Sequence, residues 1–157
     1  MNGGNVDRDA LRAWLDLLAA AGALKKSIDA KLRDGFGLSI SRFDVLAALD
    51  RAGAGGLRAG ALSARLKVTE GNTTQVTAPL IRAGLVRRAA SDKDGRVAIF
   101  RLTAKGRRLF AEVADTHRRW VAEAFSGLDA DEVAAFRTLL GKLERDALAA
   151  GARKDAA

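Results

Sequence analysis

GNTTQVTAPLIRAGLVRRAASDKDGRVAIFRLTAKG, residues 71 to 106, decides how this chain folds. Val76 and Leu80 stand four apart, the interval at which side chains share one face of a helix. Gly84 then stops that helix, Leu85-Val86 opens a strand, and Val97 to Leu102 supplies a partner strand. Asp94-Gly95 between them is a strong hairpin-turn dipeptide. Thr103 is placed to cap the helix that follows.

Upstream, Ala59 to Leu66 is a short helix that ends at Lys67-Val68, and Thr69 caps the start of the next one. Helix, tight turn, helix is the resulting pattern, with Leu62 and Leu66 packing against Val76 and Leu80. Asp7 to Asp34 reads as a long first helix with Leu11, Leu15, Leu18, Leu24, Ile28 and Leu32 at helical spacing, ended by Gly35 and Gly37. Ser41 to Ala52 is a second, with Phe43, Leu46 and Leu49 on one side. After Thr103 comes a helix bearing Leu109, Val113, Trp120 and Val121. The last follows Gly127-Leu128-Asp129 and carries Val133, Phe136, Leu139, Leu140 and Leu143.

The expected fold is mainly α with a small β-hairpin wing, a single domain over 1–157. Its winged helix-turn-helix spans about 40–103, and dimerisation helices span about 7–34 and 104–149. A two-strand ribbon is not stable alone and needs helices behind it. The apolar stripes of the end helices are too long for that small unit to cover, so a second copy of the chain is expected to bury them.

Charge indicates what the middle segment meets. The chain's net charge is +8. Leu57 to Arg108 holds twelve basic side chains against three acidic ones, +9, so the rest is nearly neutral. A merely solvated surface would scatter that excess, whereas a polyanion partner would concentrate it. There is no cysteine, which excludes disulfides and thiolate metal sites. No apolar run is long enough to span a membrane, and the polar start is not a signal peptide, so a cytoplasmic chain with no membrane partner is expected.

A helix that reads base edges needs short polar side chains on a backbone that can come close. Gly71, Asn72, Thr74 and Gln75 meet that need: amides can bond both edges of adenine, and threonine can meet a phosphate or a thymine methyl. The helix start near Thr69 attracts phosphate. Arg96, just past the hairpin turn, would enter the minor groove, with Asp94 orienting it. Arg58, Arg65, Arg88 and Lys93 are candidate phosphate contacts. Double-stranded DNA is therefore the expected partner.

LIRAGLV (80–86), seven residues, Asp94-Gly95-Arg96, six more, then Thr103-Ala104-Lys105-Gly106 resembles the signature of the MarR family of bacterial transcriptional regulators. LSISRFDVLAALDRA (38–52) and LSARLKVTEGN (62–72) extend the likeness. The resemblance implies a homodimeric winged-helix repressor on a pseudo-palindromic operator, associated with the nucleoid and released by a small, often aromatic or phenolic, effector. It also places the family's wing arginine and aspartate on Arg96 and Asp94. Pro79 departs from the pattern late in the recognition helix. An interior proline removes one backbone hydrogen bond and costs about 3 kcal/mol, so a kinked or shortened helix is expected.

In similar proteins the effector sits where the dimerisation helices meet the DNA-binding lobe, which here points to Trp14, Phe43 and Asp44; core packing and a surface ion pair are the plain alternatives. Arg42 or Arg51 could receive a carboxylate. His117, the only histidine, cannot build a zinc site within one chain and is expected to face solvent. No nucleophile has a base partner in a recognisable motif, so neither an enzyme nor a cofactor is expected. The competing reading is a winged-helix protein–protein module without operator binding, which would have no reason to keep the local +9.

Overall fold

A computed structural model of the chain describes residues 3–67, 70–90 and 97–155. In chain order its elements are α1 (Gly3–Phe36), α2 (Ile40–Ala52), a 3-10 turn (Gly53–Gly55), β1 (Leu57–Arg58), α3 (Ala59–Leu66), α4 (Glu70–Arg82), β2 (Val86–Ala90), β3 (Ala98–Leu102), α5 (Ala104–Ala124) and α6 (Ala130–Asp155). They fall into two units, 1–118 and 119–157.

In the first unit α2 is the hub, packing against α1, α3, α4 and β3. Phe43, Leu46 and Leu49 are buried as their spacing requires, and Val45 and Ala48 are buried as well, because neighbours cover α2 on more than one side. Ile28 and Leu32 of α1, Leu62, Leu80, Val86, Phe100, Leu102 and Val113 complete this core. Asp29 joins α1 to α2. Its carboxylate accepts from Arg33 Nε at 2.6 Å and from the Ile40 backbone N–H at 2.8 Å. Those two bonds hold the Asp29 carboxyl below the ordinary carboxylate range.

The wing has more structure than a two-strand ribbon. β1 adds a third strand, giving the antiparallel order β1-β3-β2. Leu57 pairs with Phe100 and Arg58 with Ile99, while Val86 pairs with Leu102 and Ala90 with Ala98. β1 is two residues long, too short to show any alternation of its own.

Two glycines hold the connection from α4 through the sheet to α5. Gly84 ends α4 with φ at 69°, a conformation that costs other residues energy. A Cβ on Gly106 would come within 2.9 Å of the Leu85 carbonyl carbon and closer still to its oxygen. Between them Thr103 acts as a clasp: its hydroxyl donates to Gly84 O at 2.7 Å and accepts from the Gly106 N–H at 2.9 Å, capping α5 as its position requires.

In the second unit α6 begins with a reciprocal cap. The Glu132 N–H donates to Asp129 Oδ1 and the Asp129 N–H to Glu132 Oε2, both at 2.9 Å. The rings of Phe125 and Phe136 meet at 6.3 Å. Large apolar side chains are left open to solvent on α1 (Leu11, Trp14, Leu15, Leu18) and on α6 (Leu139, Leu143, Leu148).

Candidate nucleic-acid interface

α4 sorts its side chains sharply. Thr73, Thr77 and Leu80 recur at helical spacing and are buried, whereas Gly71, Asn72, Thr74 and Gln75 are exposed. The packing face therefore runs through Thr73 and Thr77, and Val76, expected on that face, is only half-buried. The reason is a pair of hydroxyls. Ser63 Oγ of α3 and Thr73 Oγ1 of α4 lie 2.9 Å apart, and the Thr77 hydroxyl donates to the Thr73 carbonyl at 2.8 Å. Buried polar groups are tolerated when they are hydrogen-bonded. Threonine here serves the helix–helix joint, which a reading by hydrophobicity alone passes over.

The turn between α3 and α4 begins at Lys67, which caps α3 in the left-handed region with φ 53° and ψ 42°. A non-glycine residue there stores of order 1 kcal/mol of strain. Pro79 sits inside α4, which nonetheless continues to Arg82, so the helix is not shortened. Proline has no N–H to offer the Gln75 carbonyl one turn earlier. The cost falls on the stretch that carries Gln75.

The basic residues of this segment divide into two groups. Arg101 Nε donates to Ala54 O at 3.0 Å, Lys105 Nζ to Ala83 O at 2.9 Å and Arg107 to Leu102 O at 3.1 Å. Those three cations tie the fold together. Arg58 of β1, Arg65 of α3 and Arg88 of β2, the expected phosphate contacts, are exposed. Arg82 and Arg87 are exposed in the same segment, and only the charge count pointed to them. Thr69, Lys93, Asp94 and Arg96 lie outside the described residues.

The three effector candidates are not brought together. Trp14 is 54% exposed on α1, and Phe43 is buried with its ring 5.7 Å from that of Phe110. Asp44 lies at two cavities. One of about 270 Å³ is lined by Lys25, Ser41, Asp44, Leu66, Asn72 and Val76. The other, about 450 Å³, is lined by Asp44 and Arg51 of α2 together with Arg65 and Lys67. Burial raises the Asp44 carboxyl above the ordinary carboxylate range, against the opposing pull of His117, Lys25 and Arg51. The residue as a whole remains exposed, so it is the carboxylate's surroundings that strip away hydration.

His117 corrects an expectation. It does not simply face solvent: its ring lies 4.5 Å from that of Phe43. Burial lowers its pKa below the ordinary imidazole value, and the Asp44 charge opposes that shift. Its packing partner is more than seventy positions away in sequence, which no local pattern reveals.

Comparison with known proteins agrees with this geometry. A family model described as "MarR family" matches residues 36–97. The uncharacterized HTH-type transcriptional regulator YkoM of Bacillus subtilis is 33% identical over 124 residues, covering 78% of this chain and 79% of that protein. The HTH-type transcriptional regulator BilQ of Clostridium symbiosum is 32% identical over 82 residues, which span 52% of this chain and only 57% of BilQ. A MarR family transcriptional regulator from Silicibacter pomeroyi has a solved structure similar to this one, with TM-score 0.74 and 33% identity over 88% of this chain and 96% of that one. A mutant MarR of E. coli complexed with operator DNA shares the fold at TM-score 0.77 and 21% identity, over 86% of this chain and 95% of that one. With a winged helix-turn-helix in place, an outward polar face on α4 and a relative matched over most of both chains, this protein belongs to the MarR family of DNA-binding transcriptional regulators.

Proposed function

We propose that two copies of this chain form a repressor that binds a pseudo-palindromic operator and releases it on binding a small effector. Residues 69–83 of each protomer enter a major groove, and residues 91–97 enter the adjoining minor groove. Residues 7–34 and 104–149 form the dimerisation region. The observation that carries the reading is the exposed face of α4, where Asn72, Thr74 and Gln75 stand outward in a segment of net charge +9. Side chains of that kind read base edges, and the surrounding cations hold the backbone.

The open apolar side chains of α1, and separately those of α6, support dimerisation, since exposed large apolar side chains in number mark an interaction face. The smaller cavity supports the effector step, because Asn72 of α4 is part of its wall. Lys25 there suits a carboxylate, Asp44 a phenolic hydroxyl, and Leu66 and Val76 an apolar ring. A ligand filling this space pushes on the helix that meets DNA. Half-sites one duplex turn, about 34 Å, apart tolerate little change in recognition-helix spacing. The regulator acts in the bacterial cytoplasm; among the described residues no helix is long and apolar enough to cross a membrane.

Fluorescence anisotropy with a labelled duplex from upstream of the chain's own gene tests the reading. Saturable binding at low salt is expected, and engagement of about six phosphates weakens it by roughly three orders of magnitude between 50 and 200 mM salt. No binding at low salt would overturn it in favour of a protein–protein module.

A further inference from the structure

The larger cavity has a chemistry of its own. Arg51 comes from α2, Arg65 from the end of α3 and Lys67 from the turn that follows; Asp44 is the one carboxylate among them. Among the described lining residues three positive side chains stand against one negative, a formal +2. Its apolar share comes from small or aliphatic residues such as Ala47 and Leu66, and no aromatic side chain lines it among the described residues. Two guanidinium groups offer forked donors that match phosphate oxygens, and the ammonium adds a third cation. Among the described residues the Asp44 carboxylate accepts no hydrogen bond, so it can take a donor from a ligand. At about 450 Å³ the space lies within the range of small-molecule sites.

We propose that this cavity is a second ligand site, for a small non-aromatic phosphate monoester bearing a hydroxyl. Its dianionic phosphate sits among Arg51, Arg65 and Lys67, and its hydroxyl donates to Asp44. A DNA backbone phosphate shares the same chemistry but carries a single charge, and the wall's +2 matches the dianion better. Lys67 sets the turn into α4, and Arg65 is a candidate phosphate contact. An occupied site therefore competes with DNA for Arg65; that consequence, unlike the site itself, rests on the regulator reading.

Isothermal titration calorimetry on the full chain without DNA tests the site, at about pH 7.5, where a phosphate monoester is largely dianionic. The probes are glycerol 3-phosphate, inorganic phosphate and benzoate. Glycerol 3-phosphate is expected to bind saturably and more tightly than inorganic phosphate, with no saturable binding of benzoate to this site. Arg51→Gln, an exposed position on α2, is expected to weaken glycerol 3-phosphate about tenfold, the loss of one charge-assisted contact. Asp44→Asn is expected to erase the advantage over inorganic phosphate. Arg137→Gln, an exposed change on α6, is expected to alter nothing.

Absence of saturable glycerol 3-phosphate binding would overturn the proposal, as would an equal loss in Arg137→Gln, which would mean unspecific attraction. Benzoate competing for the site would overturn the assigned ligand class. A separate DNA titration of Arg51→Gln separates the two phosphate sources. Unchanged DNA affinity is expected, and a loss matching that for the ester would make the cavity a seat for the DNA backbone instead. Failure of the chain to bind DNA at all leaves the ligand titrations fully readable.

Discussion

Removing the hydroxyl pair between α3 and α4 should show how the recognition helix is fastened. Ser63 and Thr73 are 6% and 2% exposed, and their oxygens lie 2.9 Å apart. Ser63 Oγ also donates to the Ala59 carbonyl at 3.0 Å, so the Ser63 hydroxyl is held within its own helix as well as across the joint. A satisfied neutral hydrogen bond contributes about 1 kcal/mol net, and Ser63 keeps its bond to Ala59 when Thr73 is removed. Ser63→Ala and Thr73→Val are each expected to destabilise the protein by about 1–2 kcal/mol. The double variant removes both polar groups at once and is expected to cost about 1 kcal/mol less than their sum. Urea unfolding followed by circular dichroism, at one protein concentration because any self-association shifts apparent stability, measures all four corners of the cycle. Additive losses within about 0.3 kcal/mol would refute the reasoning, because they would mean that the two hydroxyls do not depend on each other.

Gly106→Ala drives a methyl against the Leu85 backbone. The overpacking cost of about 1–3 kcal/mol and the loosened Thr103 clasp outweigh the roughly 1 kcal/mol that alanine gains in a helix. A thermal melt should fall, and an unchanged or higher midpoint would contradict the packing described. Pro79→Ala restores a donor to the Gln75 carbonyl and is expected to raise stability by about 1–3 kcal/mol in the same urea titration; an unchanged or lower midpoint would contradict the cost assigned to the proline. His117 gives a clean proton NMR titration as the only histidine, with its midpoint expected below the ordinary imidazole value. Because the folded value is depressed, the unfolded chain takes up the proton first, and stability falls as pH drops below the ordinary value. Asp44→Asn removes the charge that opposes the shift and should move the midpoint lower still; an upward move would sink the Asp44–His117 assignment.

What could be read in advance was what local chemistry controls. Gly84, Thr103 and the spacing of Phe43, Leu46 and Leu49 speak through their own few neighbours, and each does what its type and position require. β1 could not be read, because two residues carry no pattern and their partners, Ile99 and Phe100, lie more than forty positions away. Thr73 was not legible as a packing residue, because its polarity keeps it out of an apolar stripe, yet it is buried in the joint. The outward face of α4, with Thr74 on it, was legible from its polar residues, whereas the inward role of Thr73 depends on Ser63 of α3. The larger cavity escaped for a similar reason. Asp44 and Arg51 were legible as ligand candidates on α2, but nothing local shows that Arg65 and Lys67 share a cavity with them.

The central claim is that α4 reads sequence while the surrounding cations supply affinity. Gln75→Ala isolates it, since Gln75 is exposed and takes no part in the Ser63–Thr73 joint. Measured on its own upstream site and on an unrelated duplex of equal length, the variant should lose about 1–3 kcal/mol on the first and almost nothing on the second. Equal losses on both duplexes, or none on either, would contradict the assignment of α4 as the reading helix.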